Sequence, residues 1–385
     1  MWIGACTSTI GTFMQKVAQS WLIYELSNSK FLLALDAFLG DIPIFLFSLI
    51  GGVIADRMER RHLLMASQYV QMGCATLLTV LVGFHAVRVW HILCLSFVAG
   101  VAQAFGGPAY SALIPTLVEK EDMPNAIALN SIQFNAAVTV GPALGGVTLA
   151  KLGNTWCFGL NAVSFLAPII SLALLNVRFL PEKTTETILT SMKQGFHFIR
   201  KQGAMEALIV LAFLMTFLAV PTRTWLPVFA KDIFHKGPET YATFLSVSGM
   251  GSIVGALMVA SMGNIRNKGR VALTMLICLG VGISGFAAST SLVASYLMLF
   301  FTGASMIGVF AAVSSLVQLI VTNQMRGRVM SVYTFAFRGG MPIGNLLTGW
   351  LVPMFTAPLV LGVNGLLLIA LALYFLFVQR RVATL

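Results

Sequence analysis

Long apolar stretches broken by short polar ones repeat along the whole chain. The apolar runs cover 2–24, 30–55, 62–84, 90–118, 124–150 and 157–176, then 206–229, 241–262, 271–289, 292–320, 329–353 and 358–378. Each is near the roughly 20 residues that carry a helix across bilayer hydrocarbon. None alternates in polarity with the period of two that a membrane barrel needs. The pattern predicts an all-α membrane protein of twelve transmembrane helices. Its longest polar interruption, NVRFLPEKTTETILTSMKQGFHFIRKQGAME, divides them into six and six. The expected organisation is an N-terminal six-helix bundle over 1–176, a cytoplasmic linker over 177–205 and a C-terminal six-helix bundle over 206–385. Inside the linker, Ile188, Met192, Phe196 and Ile199 recur at helical spacing opposite Lys193, Arg200 and Lys201. That spacing fits a basic amphipathic helix on an anionic leaflet, the alternative being a solvated connector.

Composition removes the other classes. The chain is 58% hydrophobic and 10% charged, with mean hydropathy +0.88; soluble domains average about 45–50% and about 25%. A net charge of +11 would suggest nucleic acid in a soluble protein. Here the Lys and Arg residues sort by side instead. With both termini cytoplasmic, sixteen fall inside, five outside (Lys30, Arg88, Lys151, Lys231, Lys236), and three lie within spans. The expected location is therefore a membrane, crossed many times with both termini cytoplasmic, with no nucleic-acid partner. The five cysteines (Cys6, Cys74, Cys94, Cys157, Cys278) show no metal spacing and are expected to be buried thiols. The five histidines fall at span ends or in loops, and no residues form a catalytic constellation, a metal site or a Walker loop. An enzyme and a resident cofactor are thus not expected. No basic n-region of a cleavable signal precedes the first span. The opening MWIGACTSTIG reads as helix interior, so a few residues of the natural start are expected to be missing.

The halves read as copies. Trp21-Leu22 recurs as Trp225-Leu226, SALIPTLV of the fourth span as SSLVQLIV of the tenth, and GPALGG of the fifth as GGMPIGN of the eleventh. Duplicated bundles of this kind place a substrate site between the repeats near the midplane.

Two motifs carry a mechanism. Between the second and third spans the chain reads Gly51-Gly52-Val53-Ile54-Ala55-Asp56-Arg57-Met58-Glu59-Arg60-Arg61. Glycines allow close helix approach, and a fixed acid among arginines can latch a neighbouring helix start. In the fifth span, Gly141-Pro142-Ala-Leu-Gly145-Gly146 combines a missing backbone donor with room for tight packing, the signature of a kink. The first motif resembles the loop 2–3 signature of the major facilitator superfamily, although Met58 and Glu59 stand where a glycine usually follows the Asp-Arg pair. The second is similar to the fifth-helix signature of that superfamily's exporters, without its leading glycine. The resemblance implies the superfamily fold of two pseudo-symmetric bundles. It also implies that Asp56 faces the cytoplasmic start of the eleventh helix, here Arg326-Gly327-Arg328. A gate of Gly52, Asp56, Arg57, Arg60, Arg61, Arg326 and Arg328 follows from it.

Charged groups inside the bilayer cost at least about 2.5–3.5 kcal/mol each on insertion scales, so they mark function. Lys16 in the first span and Asp36 in the second lie at similar depth, and Asp41 lies about 140° round the helix from Asp36. Asp36 and Asp41, with Lys16, are the candidates for proton coupling, the alternative being a static structural pair. Arg338 in the eleventh span and Arg223 in the seventh suit an anionic substrate group or a carboxylate counter-ion, with snorkelling open to Arg223. Gln103, Gln133, Asn135, Gln318 and Asn345 are candidate neutral hydrogen-bonders of a substrate cavity.

GTFMQKVAQSWLIYELSNS (11–29), RGRVMSVYTFAFRGGMPIGNLLTGWL (326–351) and the two motifs resemble the enterobactin-exporter-like branch, with macrolide-efflux pumps as neighbours. This implies a monomeric secondary transporter in the lipid bilayer that exports a siderophore or an amphipathic drug-like small molecule in exchange for protons by alternating access. A lysophospholipid or lipid flippase on the same fold is the alternative. Unlike many proton antiporters of the superfamily, the chain has no fourth-span arginine.

Overall fold

The computed structural model describes residues 1–119, 121–175, 188–261, 267–322 and 325–384. For Leu49, Val53, Ala55, Asp56, Arg57, 188–192, Lys201 and Ala260 it describes the backbone alone. The helices are α1 Trp2–Ser27, α2 Lys30–Arg57, α3 Arg60–Gly83, α4 Val89–Leu113, α5 Met123–Leu152, α6 Asn154–Ser164, α7 Leu166–Ala173 and α8 Ile188–Lys201. They continue with α9 Gly203–Ala219, α10 Pro221–Val228, α11 Pro238–Ser261, α12 Lys268–Ala288, α13 Leu292–Ile320, α14 Arg326–Met354 and α15 Ala357–Leu373. Among the described residues, ten helical stretches are long and apolar enough to cross a membrane. The expected spans over α1 and α14 are not among the ten, although these helices run 26 and 29 residues.

Local chemistry sets the ends and breaks. Ser29 caps α2 by accepting the Leu32 N–H at 3.4 Å, and Thr356 caps α15 from Leu359 at 3.3 Å. Asn28, at φ 48°, turns the chain out of α1, its N–H still reaching the Tyr24 carbonyl at 3.0 Å. The expected sixth span is two helices, because Pro168 has no N–H for the Ser164 carbonyl. Pro221 likewise divides the seventh into α9 and α10.

Packing divides the chain into two compact units, Met1–Thr185 with His235–Ser246, and Glu186–Phe234 with Val247–Leu385. Residues 235–246 pack with the first unit, where Ala242 at the start of α11 lies against Gly146 of α5. Each unit is held by glycine-mediated helix contacts. In the first, a Cβ on Gly141 would stand 2.6 Å from the Phe13 Cβ, and one on Gly145 would stand 3.0 Å from the Met14 carbonyl oxygen. In the second, Gly340 and Gly344 of α14 lie as closely against Phe213, Thr216 and Phe217 of α9. The repeated glycine pairs therefore make repeated contacts. Pro142 sits inside an uninterrupted α5.

The linker helix α8 differs from its expected face. Gly195 packs on the backbone of Arg328 and Ile199 is buried, whereas Phe196 is exposed with the Arg200 guanidinium 5.0 Å over its ring. Phe196 and Ile199 thus point to different surroundings. Ile188, Met192 and Lys201 fall where side chains are not described. Of the cysteines, Cys74 and Cys157 are buried as expected, but Cys94 and Cys278 are exposed on their helices.

Candidate functional site

The first unit holds a continuous polar cluster deep in its helices. Ser8, Thr12, Gln15 and Gln19 repeat at helical spacing along α1 and form a polar stripe. Gln15 accepts from the Asn161 amide of α6 at 2.7 Å and reaches Gln19 at 3.4 Å. The Gln19 amide nitrogen lies 3.0 and 2.9 Å from the two carboxylate oxygens of Asp36, and 2.8 Å from the Ser96 hydroxyl of α4. Ser96 itself donates to Asp36 at 2.5 Å. Three helices, α1, α2 and α4, thus meet at one carboxylate, 7% exposed. Its hydrogen bonds come from neutral groups, while Lys16 and Asp41 act on it through the electric field. Lys16 is exposed, its ammonium 5.5 Å over the Phe13 ring. Asp41 is half-buried. From α11, the buried Tyr241 comes near Ser20 of α1.

The other predicted residues are distributed as follows. Gln133 is 5% exposed, accepts from the Tyr110 hydroxyl at 3.1 Å and donates to Thr9 at 3.0 Å, so its amide joins α1, α4 and α5. Asn345 is 1% exposed and accepts from Thr224 at 2.9 Å, a second inter-helix junction. Both are enclosed within a unit rather than lining open space. Asn135 donates to the Ser131 carbonyl of its own helix at 2.8 Å, and Gln103 is exposed. Gln318 and Arg326 share an open recess of about 430 Å³ with Ser314 and Ser315 in the second unit. Arg338 is exposed on α14, and Arg223 is half-buried in α10.

The described part of the gate motif makes the following contacts. The Arg60 guanidinium donates to the Ala112 carbonyl at 2.8 Å and that of Arg61 to the Ala173 carbonyl at 2.9 Å, the last turns of α4 and α7. These cations cap helix C-termini, where the dipole and open carbonyls favour them. Gly51, not Gly52, makes the close approach, against the Ala104 carbonyl; a Cβ on Gly52 would meet nothing within 4 Å among the described residues. The Asp56 and Arg57 side chains lie outside the described residues. Arg328 contacts the Met325 sulfur at 3.7 Å.

Repeated bundles of membrane-length helices, with ionisable groups inside them, define a polytopic helical membrane protein. Residues 1–384 match the family model described as "Transmembrane secretion effector", and the chain belongs to that family of the major facilitator superfamily. Such proteins are transporters, not enzymes. It is 26% identical to the enterobactin exporter EntS of Shigella boydii serotype 4 (strain Sb227), over 93% of this chain and 86% of that one. It is 20% identical to macrolide efflux protein A of Streptococcus pyogenes, over 90% and 87%. Among solved structures, a bacterial homologue of the human lysosomal transporter Spinster, inward-facing and occupied, has the same fold: TM-score 0.76, 12% identity, 99% and 95% covered. The lipid-flippase alternative finds no support in the two curated relatives.

Proposed function

We propose that this chain exports an amphipathic small molecule, a siderophore or a macrolide-like drug, across the bacterial inner membrane in exchange for protons, by alternating access. Both termini are cytoplasmic in this reading, as the distribution of Lys and Arg favours, and the working unit is a monomer. The observation that carries it is Asp36. A carboxylate removed from water at such depth is costly unless it is paired or protonated. Asp36 is bonded to a neutral amide and a neutral hydroxyl, with its cation held at a distance. Proton binding is therefore an available way to discharge it, and a site that gains and loses a proton as access alternates is what antiport needs. Asp41 and Lys16 tune that carboxyl. Arg338 and Gln103, exposed on their helices, and Gln318, in its recess with Arg326, are the candidates for meeting substrate. Asp56 remains the proposed inner-gate acid.

The test is transport in proteoliposomes with an imposed pH gradient, using radiolabelled erythromycin and iron-free enterobactin as probes. Gradient-driven accumulation of either probe, lost in Asp36→Asn, is the expected result. Movement indifferent to the gradient and unchanged in Asp36→Asn removes proton antiport.

A further inference from the structure

The polar cluster of the first unit has a direction. At its far end, in α6, the Ser164 hydroxyl lies 2.7 Å from the Asn161 backbone carbonyl and 3.1 Å from its side-chain oxygen Oδ1. Asn161, 2% exposed, therefore keeps its nitrogen for α1, and Nδ2 donates to Gln15 Oε1 at 2.7 Å. The Gln15 nitrogen is then left to face Gln19 Oε1, at 3.4 Å. That in turn leaves the Gln19 nitrogen for the carboxylate, which it meets directly and, through the Ser96 hydroxyl, a second time. Each amide accepts at its oxygen and donates at its nitrogen, so the bonds polarise one another along the chain. Gly11 makes room for the head of it: a Cβ there would stand 2.6 Å from Asn161 Oδ1. No member can be turned over alone. Reversing Gln19 would set its oxygen against the carboxylate oxygens and its nitrogen against that of Gln15.

We propose that Asn161 and Gln15 are positioning residues of the proton site, holding the nitrogen end of Gln19 on Asp36 so that the relay opposes proton uptake. The inference rests on the reading of Asp36 as that site. Gln19 and Ser96 both donate to Asp36, so the relay serves the ionised oxygens. The hydrogen of a neutral acid finds an acceptor on Gln19 only after Gln19, and Gln15 with it, has turned over. A proton taken up on α2 is thus felt on α6. The charged groups acting on Asp36 are Lys16 from α1 and Asp41 from its own helix; α4 brings the neutral Ser96, and α11 the Tyr241 phenol. All of these stay when Asn161 or Gln15 is replaced, so an effect of either replacement reports the relay.

Difference infrared spectroscopy tests this on the full-length protein in phosphatidylethanolamine/phosphatidylglycerol nanodiscs. It follows the protonated-carboxyl band against pH, the band being assigned to Asp36 by its loss in Asp36→Asn. Asn161→Leu and Gln15→Leu should each raise the pH of half-protonation by about one unit, the order of one hydrogen bond to a charged group. The double variant should do no more than either alone, because one broken link already frees Gln19. Ser164→Ala leaves the amides in place and should act in the same direction by less. With Gln15→Leu it carries the test if Asn161→Leu does not fold. Residues that merely join helices would lower the melting temperature and leave the midpoint where it is. That result, or single shifts that add in the double variant, overturns the inference and leaves the proton site standing. A band unchanged in Asp36→Asn overturns the proton site, and this inference with it.

Discussion

A carboxylate inside a membrane is defined by its neighbours, and here the decisive one is Gln19. Its amide nitrogen lies within 3.0 Å of both Asp36 oxygens, so one side chain supplies the donors for most of the charge. Removing one partner of a buried hydrogen bond costs about 1–3 kcal/mol, more when the partner left behind is charged. Gln19→Leu keeps most of the bulk and deletes the donor. The variant should lose stability of that order, read as a lower thermal unfolding midpoint in detergent. The sign with pH follows from what the amide does. An N–H serves the ionised oxygens and gains little from the neutral acid, so the deficit should be fullest at alkaline pH and shrink as Asp36 takes up its proton. A deficit that is equal at all pH values would show that Asp36 does not change charge over the range measured. The capping arginines act differently. Arg61→Ala uncovers the Ala173 carbonyl and should cost stability by an amount independent of Asp36.

At the level of helices, glycine positions divide by what lies above them. Gly51→Ala would force a methyl against the Ala104 carbonyl, and Gly344→Ala one against Phe217. Overpacking of this kind costs about 1–3 kcal/mol. Gly52→Ala meets open space among the described residues and should gain up to about 1 kcal/mol of helix propensity. Unfolding midpoints of the three variants should therefore fall, fall and stay or rise; a drop for Gly52→Ala would mean that another conformation closes on that position. This contrast also shows how far the chain could be read beforehand. Helices were legible because apolar runs of span length and proline breaks are local properties. The glycine pairs were legible as repeats because the same packing recurs in α5 and α14. Which of two adjacent glycines approaches a neighbour depends on helix rotation, which the spacing leaves open by about 100° per residue. The polar stripe Ser8, Thr12, Gln15, Gln19 was visible in principle, yet its meaning depends on Ser96 and Asn161, far away in sequence.

At the scale of the whole molecule, coupling is a matter of energy balance. A proton moving down one pH unit releases about 1.36 kcal/mol, enough to hold a tenfold concentration ratio of an exchanged solute when one proton moves per cycle. The two bilayer acids make different numbers conceivable. Asp36 takes donors from two other helices, Gln19 of α1 and Ser96 of α4, whereas Asp41 is half-buried and acts on Asp36 through the field. One working carboxyl therefore predicts one proton per substrate. With the membrane potential clamped to zero in proteoliposomes, the substrate ratio at which net flux stops should change about tenfold per unit of imposed pH difference. A slope near a hundredfold would require a second proton and would promote Asp41 to a carrier. Asp41→Asn should then leave the tenfold slope intact while shifting the pH at which transport is fastest, because it removes a negative charge that Asp36 feels. If Asp41→Asn halves the logarithmic slope instead, the two acids carry one proton each and the single-site account is wrong.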